Sequence, residues 1–291
     1  MLKVEPHTIS CADGHPLGLT LYRSSLATRG IVVIASAVGI PQGFYRDYAS
    51  HLGENHLHAI TFDYRGSGAS ASTPDRPPAK LQDWAIQDIN AVLGFAKQIV
   101  AEQTEALPVY FLGHSIGGQI VGLASGSREF SRLVLISASF PYWKRWPFPD
   151  NLKVKLMEQV VIPLLAFGRR DFPTRMAGLG SITIPSECAR QWADWMSEPD
   201  YLFSRKFKLD TSGYAALTQP VVAVGFDDDQ LVPEASIDVL LAHLSSAKAK
   251  KIIIHAKDLA IGSIGHSGFF RKKSQTALWT QSLDWFSRHS I

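Results

Sequence analysis

Gly113, His114, Ser115, Ile116 and Gly117 set one serine between two glycines, and Gly118 follows directly. A serine hydroxyl is a weak nucleophile. To attack a carbonyl carbon it needs a base within hydrogen-bond reach and donors for the negative charge that develops on the oxygen. This spacing serves that chemistry where a strand turns sharply into a helix, because glycines on both sides let the two elements approach without clashing. Such a turn exposes the Ser115 hydroxyl and aims the backbone N–H of Ile116 at the reacting carbonyl. The flanking sequence supplies both elements: 108–112 reads as a short apolar strand, and 116–125, rich in small and apolar residues, as a helix.

The base for such a serine is a histidine, and ten are present. His114 lies inside the turn and is badly placed to serve its neighbour. His51, His56 and His58 cluster near a helix end without the spacing of a metal site, so they read as surface residues and no metal is assigned. His266 stands in a glycine-flanked loop, Ser263-Ile264-Gly265-His266-Ser267-Gly268, between a strand at 252–254 and a final helix. From there it can fold back over the sheet edge to Ser115. The supporting acid belongs just after the strand at 221–224, where Asp227, Asp228 and Asp229 stand in a row. One of these carboxylates must hold the imidazole tautomer and stabilise the imidazolium. The residues alone leave three candidates.

The elements that must position these groups alternate along the chain. An opening antiparallel pair at 4–11 and 17–22 turns at Asp13 and Gly14. Short apolar strands follow at 31–35, 57–62, 109–112, 133–136, 221–224 and 252–254, most of them trailed by helical spacing. From 81 to 101, apolar residues recur every three or four positions, as on one face of a long helix. Strands alternating with helices predict an α/β fold whose central, mainly parallel sheet is covered on both faces. One region breaks the rhythm: 140–214 is dense in aromatics and prolines. It reads as an inserted cap over one end of the sheet, with 1–139 and 215–291 forming the core domain. Most of its aromatics are expected to form the core of the insertion itself.

With 291 residues, 46% of them hydrophobic and 19% charged, the chain can bury a core of that size. The net charge of +3 comes from scattered residues. The short basic groups at 144–145, 169–170 and 271–273 are interrupted or flanked by apolar side chains, so they read as solvated faces rather than a nucleic-acid or membrane surface. No apolar run of a secretory signal follows the first basic residue, and no stretch reaches the length of a membrane span. Cys11 and Cys188 have no metal-type spacing and suit a reduced compartment. The expectation is a cytoplasmic protein acting on a small-molecule substrate, with its oligomeric state left open.

At these residues the chain resembles the α/β-hydrolase superfamily over nearly its whole length. Residues 12–17 (ADGHPL) look like the family's first hairpin, 63–70 like its D-x-R-G-x-G-x-S loop, and the Ser115 turn and His266 loop follow in the family order of serine, acid, histidine. More narrowly, 37–45 together with IGHSGFF at 264–270 resembles a group of bacterial hydrolases without an assigned substrate. The resemblance bears on the acid in two ways. A family-like spacing from Gly225 selects Asp228, whereas a D-x-L-V-P pattern ending at Val232 and Pro233 selects Asp229. Asp229 is preferred because Leu231 and Val232 should anchor the turn while Gly225 can still lie inside the strand. One departure stands out: where many members have a His-Gly pair after the third strand, this chain has Ser36 and Ala37. The second oxyanion donor is therefore placed on the backbone N–H of Val38.

Together these residues describe acyl transfer to water. His266 takes the proton of Ser115, Asp229 supports His266, and the N–H groups of Val38 and Ile116 receive the oxyanion, with no cofactor required. The aromatic insertion favours an apolar ester or thioester. An aminopeptidase, an acyltransferase and a noncatalytic binding protein share the same framework.

Overall fold

A computed structural model of the chain describes residues 2–71, 78–103 and 106–287. Strands β1 (Lys3–Ser10) and β2 (Pro16–Arg23) form the opening antiparallel hairpin. Next come β3 (Ile31–Ala35), β4 (His58–Phe62), β5 (Val109–His114) and β6 (Arg132–Ile136). Two short strands, β7 (Asp171–Phe172) and β8 (Ile184–Pro185), pair with each other in the long segment before β9 (Val221–Phe226) and β10 (Ala249–Ile254). The eight longer strands make one sheet in the order β1-β2-β4-β3-β5-β6-β9-β10, antiparallel as far as β2-β4 and parallel from β4 to β10.

Alternation along these strands splits the core in two. On one face Ile31, Val33, Phe111, Leu133, Leu135 and Ala223 pack together; on the other, Val32, Ile34, Leu112, Val134, Ile136 and Val224 do so. A strand buried on both faces is apolar at most positions, which is why these runs show no polar alternation. Helix α1 (Arg46–Glu54) covers the second face, together with the carboxyl-terminal aromatics Phe269, Phe270, Trp279 and Trp285. Helix α2 (Asn90–Ala101) covers the first.

The helical stretch expected over 81–101 begins as a π-helical turn (Trp84–Ile89) before continuing as α2. The helix expected over 116–125 is cut short: α3 is Ile116–Gln119, followed by a 3-10 turn. Two causes are visible. Glycines at 117, 118 and 122 weaken the helix, and Tyr214 donates its hydroxyl to the Gln119 carbonyl at 2.5 Å, taking an acceptor the next turn would use.

Between β6 and β9, α4 (Asp150–Leu156), a π-helical turn (Met157–Val161) and α5 (Ile162–Ala166) form one continuous helix. Helix α6 (Ser186–Ser197) packs against it, and α7 (Ser212–Ala215) leads back to the sheet. Phe172, Trp195, Tyr201 and Tyr214 of this segment join the same apolar cluster as the sheet face beneath.

Helix α8 (Glu234–Ala242) precedes β10. The expected final helix is present but short: a π-helical turn (Gln275–Trp279) runs directly into α9 (Thr280–Ser282), with 3-10 turns on either side. Threonines and aromatics are poor helix formers, and Ser282 Oγ donates back to the Trp279 carbonyl at 2.7 Å in place of a backbone donor.

His51 and His58, expected at the surface, are buried. His58 lies in β4, where its Nδ1 accepts the Ser24 N–H at 3.0 Å, and His51 packs beside Trp279. Among the described residues, no group of three or more His, Cys, Asp or Glu could hold a metal, and no helix is long and apolar enough to cross a membrane.

Candidate active site

The parallel strands β5, β9 and β10 end on the same edge of the sheet, and the candidate residues follow them. Ser115 comes directly after β5 with φ 53° and ψ −119°, a conformation that L side chains seldom adopt. It is held by its own N–H, which donates to the Ile136 carbonyl at 2.9 Å, while Gly118 and Gln119 donate to its carbonyl. A side chain at Gly117 would run into the backbone of Ala35, and one at Gly113 into that of Gly118, so the glycines answer to close packing. Ile116 opens α3, where a helix leaves its first N–H groups without intrahelical partners.

The three consecutive aspartates are separated by what they hold. Asp227 accepts the Ala256 N–H at 2.8 Å and meets His255 Nδ1 at 3.0 Å, fixing the end of β10. Asp228 accepts the N–H groups of Ile264 and Gly265 at 2.7 and 2.8 Å, clamping the loop just before His266. Asp229 accepts His266 Nδ1–H at 2.9 Å through one carboxylate oxygen and the Leu231 N–H at 2.9 Å through the other. Burial pushes the Asp229 carboxyl up, but the His266 imidazole and the Leu231 N–H outweigh it and hold the group below the usual carboxylate range. Of the two residues expected to anchor this turn, Val232 is buried and Leu231 is half exposed, so Val232 alone does so. Leu231 instead reaches the mouth of the cavity described below.

A hydrogen-bonded chain ties the other loops together, and the sequence reading missed it. The Ala37 N–H donates to Tyr45 Oη at 2.9 Å, Tyr45 Oη lies 2.8 Å from His114 Nδ1, and His114 Nε2 lies 2.9 Å from the His266 carbonyl. A carbonyl only accepts, so Nε2 carries the hydrogen, Nδ1 is bare, and the Tyr45 hydroxyl donates to it. Burial, then the neighbouring His266, pushes His114 down to about 3, which keeps it in this neutral tautomer. With the Ala37 N–H engaged, the next N–H along the loop, that of Val38, has no hydrogen bond among the described residues. The signal was present in the sequence: a histidine before the serine, and a tyrosine ending the 37–45 stretch.

The 63–70 loop underpins this arrangement. Asp63 accepts the N–H groups of Gln42 and Ala69, and Ser70 Oγ donates to the Asp63 carbonyl at 2.6 Å, so the loop steadies the turn that carries Tyr45. Arg65 is buried against Asp88, Nε to Oδ1 at 2.5 Å, and reaches Asp13 at 2.6 Å.

Ser115, Val38 and His266 line one cavity of about 260 Å³. Its remaining walls come mainly from the segment between β6 and β9, notably Pro141, Trp146, Val154, Met157, Trp192 and Met196. Gln119 adds a polar group whose side-chain carbonyl accepts the Tyr201 hydroxyl at 2.7 Å. Lys153 and His266 are the ionisable side chains on the wall, and no aspartate or glutamate is among the lining residues. Trp143 lies off the wall, where its ring carries Lys144 and Lys155.

The fold is shared with solved structures of low sequence identity. An esterase from Exiguobacterium antarcticum aligns over 97% of this chain and all of its own, with TM-score 0.60 and 20% identity. A soluble variant of monoglyceride lipase from Saccharomyces cerevisiae, in complex with a substrate analog, aligns over all of this chain and 96% of its own, with TM-score 0.67 and 16% identity. Both likenesses establish the α/β-hydrolase fold. A monoacylglycerol lipase from Mycolicibacterium smegmatis is 30% identical over 134 residues, which span 44% of this chain and 45% of that protein, less than half of the relative's length. The family described as serine aminopeptidase, S33, matches residues 27–178, more than half of the chain, running from the approach to β3 through the serine turn and into the segment after β6. The chain belongs to this family of α/β-hydrolase fold proteins.

Proposed function

We propose that the chain hydrolyses a carboxylic ester bearing an apolar acyl or alcohol group, through an acyl-enzyme on Ser115. His266, oriented by Asp229, removes the Ser115 proton as Oγ adds to the ester carbonyl. The N–H groups of Val38 and Ile116 receive the oxyanion. The same histidine then protonates the departing alcohol, and later activates the water that releases the acid and restores the serine. The 140–214 segment acts as the cap that encloses the non-reacting part of the substrate.

The observation that carries this reading is the cavity, in which Ser115 and His266 sit at one wall and aliphatic and aromatic side chains make up most of the rest. Its size suits a single chain or ring. The partial match to a monoacylglycerol lipase supports a monoester of a small polyol as the first substrate to try. An aminopeptidase needs an anionic group for the substrate's terminal ammonium, and the lining residues, with Lys153 among them, disfavour it. The test combines a fluorophosphonate probe with a substrate panel. Wild type should take up the label and cleave chromogenic esters and monoacylglycerols faster than aminoacyl amides, and Ser115→Ala should do neither. Equal labelling of both proteins, or a preference for aminoacyl amides, would overturn the reading.

A further inference from the structure

The continuous helix 150–166 has two apolar rows on opposite sides. Ile162 and Ala166 on the inner side are buried against the rest of the insertion. On the outer side Leu152, Leu156, Val160 and Leu164 recur every four residues and are each about half exposed or more, Leu164 at 70%. Phe148 before the helix and Phe167 after it extend the row, at 79% and 83% exposed. In a regular α-helix every fourth residue drifts by about 40° around the axis. The wider π turn at Met157–Val161 takes back part of that drift and keeps the row straight. The result is an exposed ridge about 25 Å long, of a kind that soluble monomers seldom present to water.

The ridge is bordered by positive charge. From 144 to 175 the exposed ionisable side chains are Lys144, Lys153, Arg169, Arg170 and Arg175 against Asp150 and Asp171. Lys144 precedes the helix and Arg169 and Arg170 follow it, groups that the sequence alone reads as solvated faces; with Asp150, which pairs with Lys153, and Asp171 counted, each end still carries a net positive charge. A two-fold pairing with a second copy would set these ends against each other, since such an interface uses the same patch twice. An anionic surface meets them with opposite charge. Lys153, Val154 and Met157 of the same helix line the Ser115 cavity, so the helix that carries the ridge also forms part of the cavity wall.

We propose that this ridge is a docking surface for a lipid bilayer containing anionic lipids: the helix lies in the plane of the interface, its outer row enters the headgroup and acyl boundary, and the flanking cations contact lipid phosphates. The inference does not rest on the catalytic reading, and its test does not use activity. The full chain is floated with vesicles of about equal parts phosphatidylglycerol and phosphatidylcholine, or of phosphatidylcholine alone, at about 0.1 M and 0.5 M salt.

Wild type should float with the anionic vesicles, more weakly at high salt. The exposed pair Leu156→Asp and Leu164→Asp should reduce binding at least about tenfold. Arg169→Glu with Arg170→Glu should reduce it several-fold while leaving the ridge intact. Melting temperatures within a few degrees of wild type establish that the variants are folded. If the leucine pair melts early, the more conservative Leu164→Ser serves in its place. Failure of wild type to float with anionic vesicles, or binding that survives the leucine changes, overturns the proposal. So does a dimer that the leucine changes convert to monomer with no vesicle binding, which would assign the ridge to a second copy of this chain.

Discussion

The two sides of the cavity are built on different principles. On the sheet side the loops around Ser115 are fixed by directional bonds: three aspartates hold three separate segments, and Tyr45 and His114 link the 36–38 loop to the backbone of His266. On the insertion side the wall is mostly apolar, and a handful of hydrogen bonds tie the segment to the sheet side, among them the N–H groups of Ser181 and Ile182 on the Gly39 carbonyl, Trp146 Nε1–H on the Gln230 carbonyl at 3.0 Å, and the hydroxyls of Tyr201 and Tyr214 on Gln119. Directional bonds tolerate little displacement, whereas apolar contacts can be exchanged for others of similar volume. Under the proposed function, reaction geometry belongs to one side and substrate fit to the other.

The sharpest way to break this division is to remove the three carboxylates one at a time. Asp229→Asn leaves His266 without its charged partner and should lower kcat by roughly 10⁴. Asp228→Asn keeps one acceptor for two N–H donors and should cost about tenfold through a looser histidine loop. Asp227→Asn, which affects only the end of β10, should stay within a few-fold of wild type. Steady-state kinetics on one chromogenic ester ranks the three. If Asp228→Asn were the most damaging, the triad acid would be Asp228.

A smaller effect lies in the pH dependence of stability. His114 is held at about 3 in the folded chain against an ordinary 6.5, so between those values the unfolded chain binds a proton that the folded one does not. Its contribution is intact above about 6.5 and falls as the solution is acidified toward 3, on the order of 5 kcal/mol across the window. Urea unfolding of wild type should lose stability steeply between pH 6 and 4, and His114→Gln should be shallower by about 1 kcal/mol per pH unit. Parallel pH curves would mean that His114 does not titrate in this way.

The smallest effect belongs to the apolar wall. Trp146→Ala enlarges the cavity and should move the preferred acyl length by a few carbons while short-ester turnover changes only a few-fold. Trp143→Ala, away from the wall, should leave the preference where it is. A chain-length profile that never shifts would reduce the insertion to cover.

How far these features could be read from residues differs between them. The serine turn was legible because the glycines, the apolar strand before them and the small residues after them all serve one local geometry. The choice among Asp227, Asp228 and Asp229 was not settled locally, because their partners lie 28 to 37 residues away in sequence. The expected anchoring by Leu231 fails because hydrophobicity does not say which of two adjacent residues faces inward. His58 looked like a surface residue until its strand was seen to be buried on both faces. The length of α3 depended on Tyr214, nearly a hundred residues later, capturing the Gln119 carbonyl. The row at 152, 156, 160 and 164 follows a simple spacing, but only the fold shows that this side of the helix faces outward.

That capture by Tyr214, with the hydroxyl of Tyr201 on the Gln119 side chain, makes the insertion a poor candidate for exchange as a module. A lid joined only at its two ends could be swapped between relatives like a cassette, leaving the catalytic platform untouched. Here a graft ending at 140 and 214 would also have to supply two hydroxyls at the right depth, or the short helix behind Ser115 would lose its terminator. New specificities in this chain should therefore be sought by substitution within the insertion rather than by transplanting it whole.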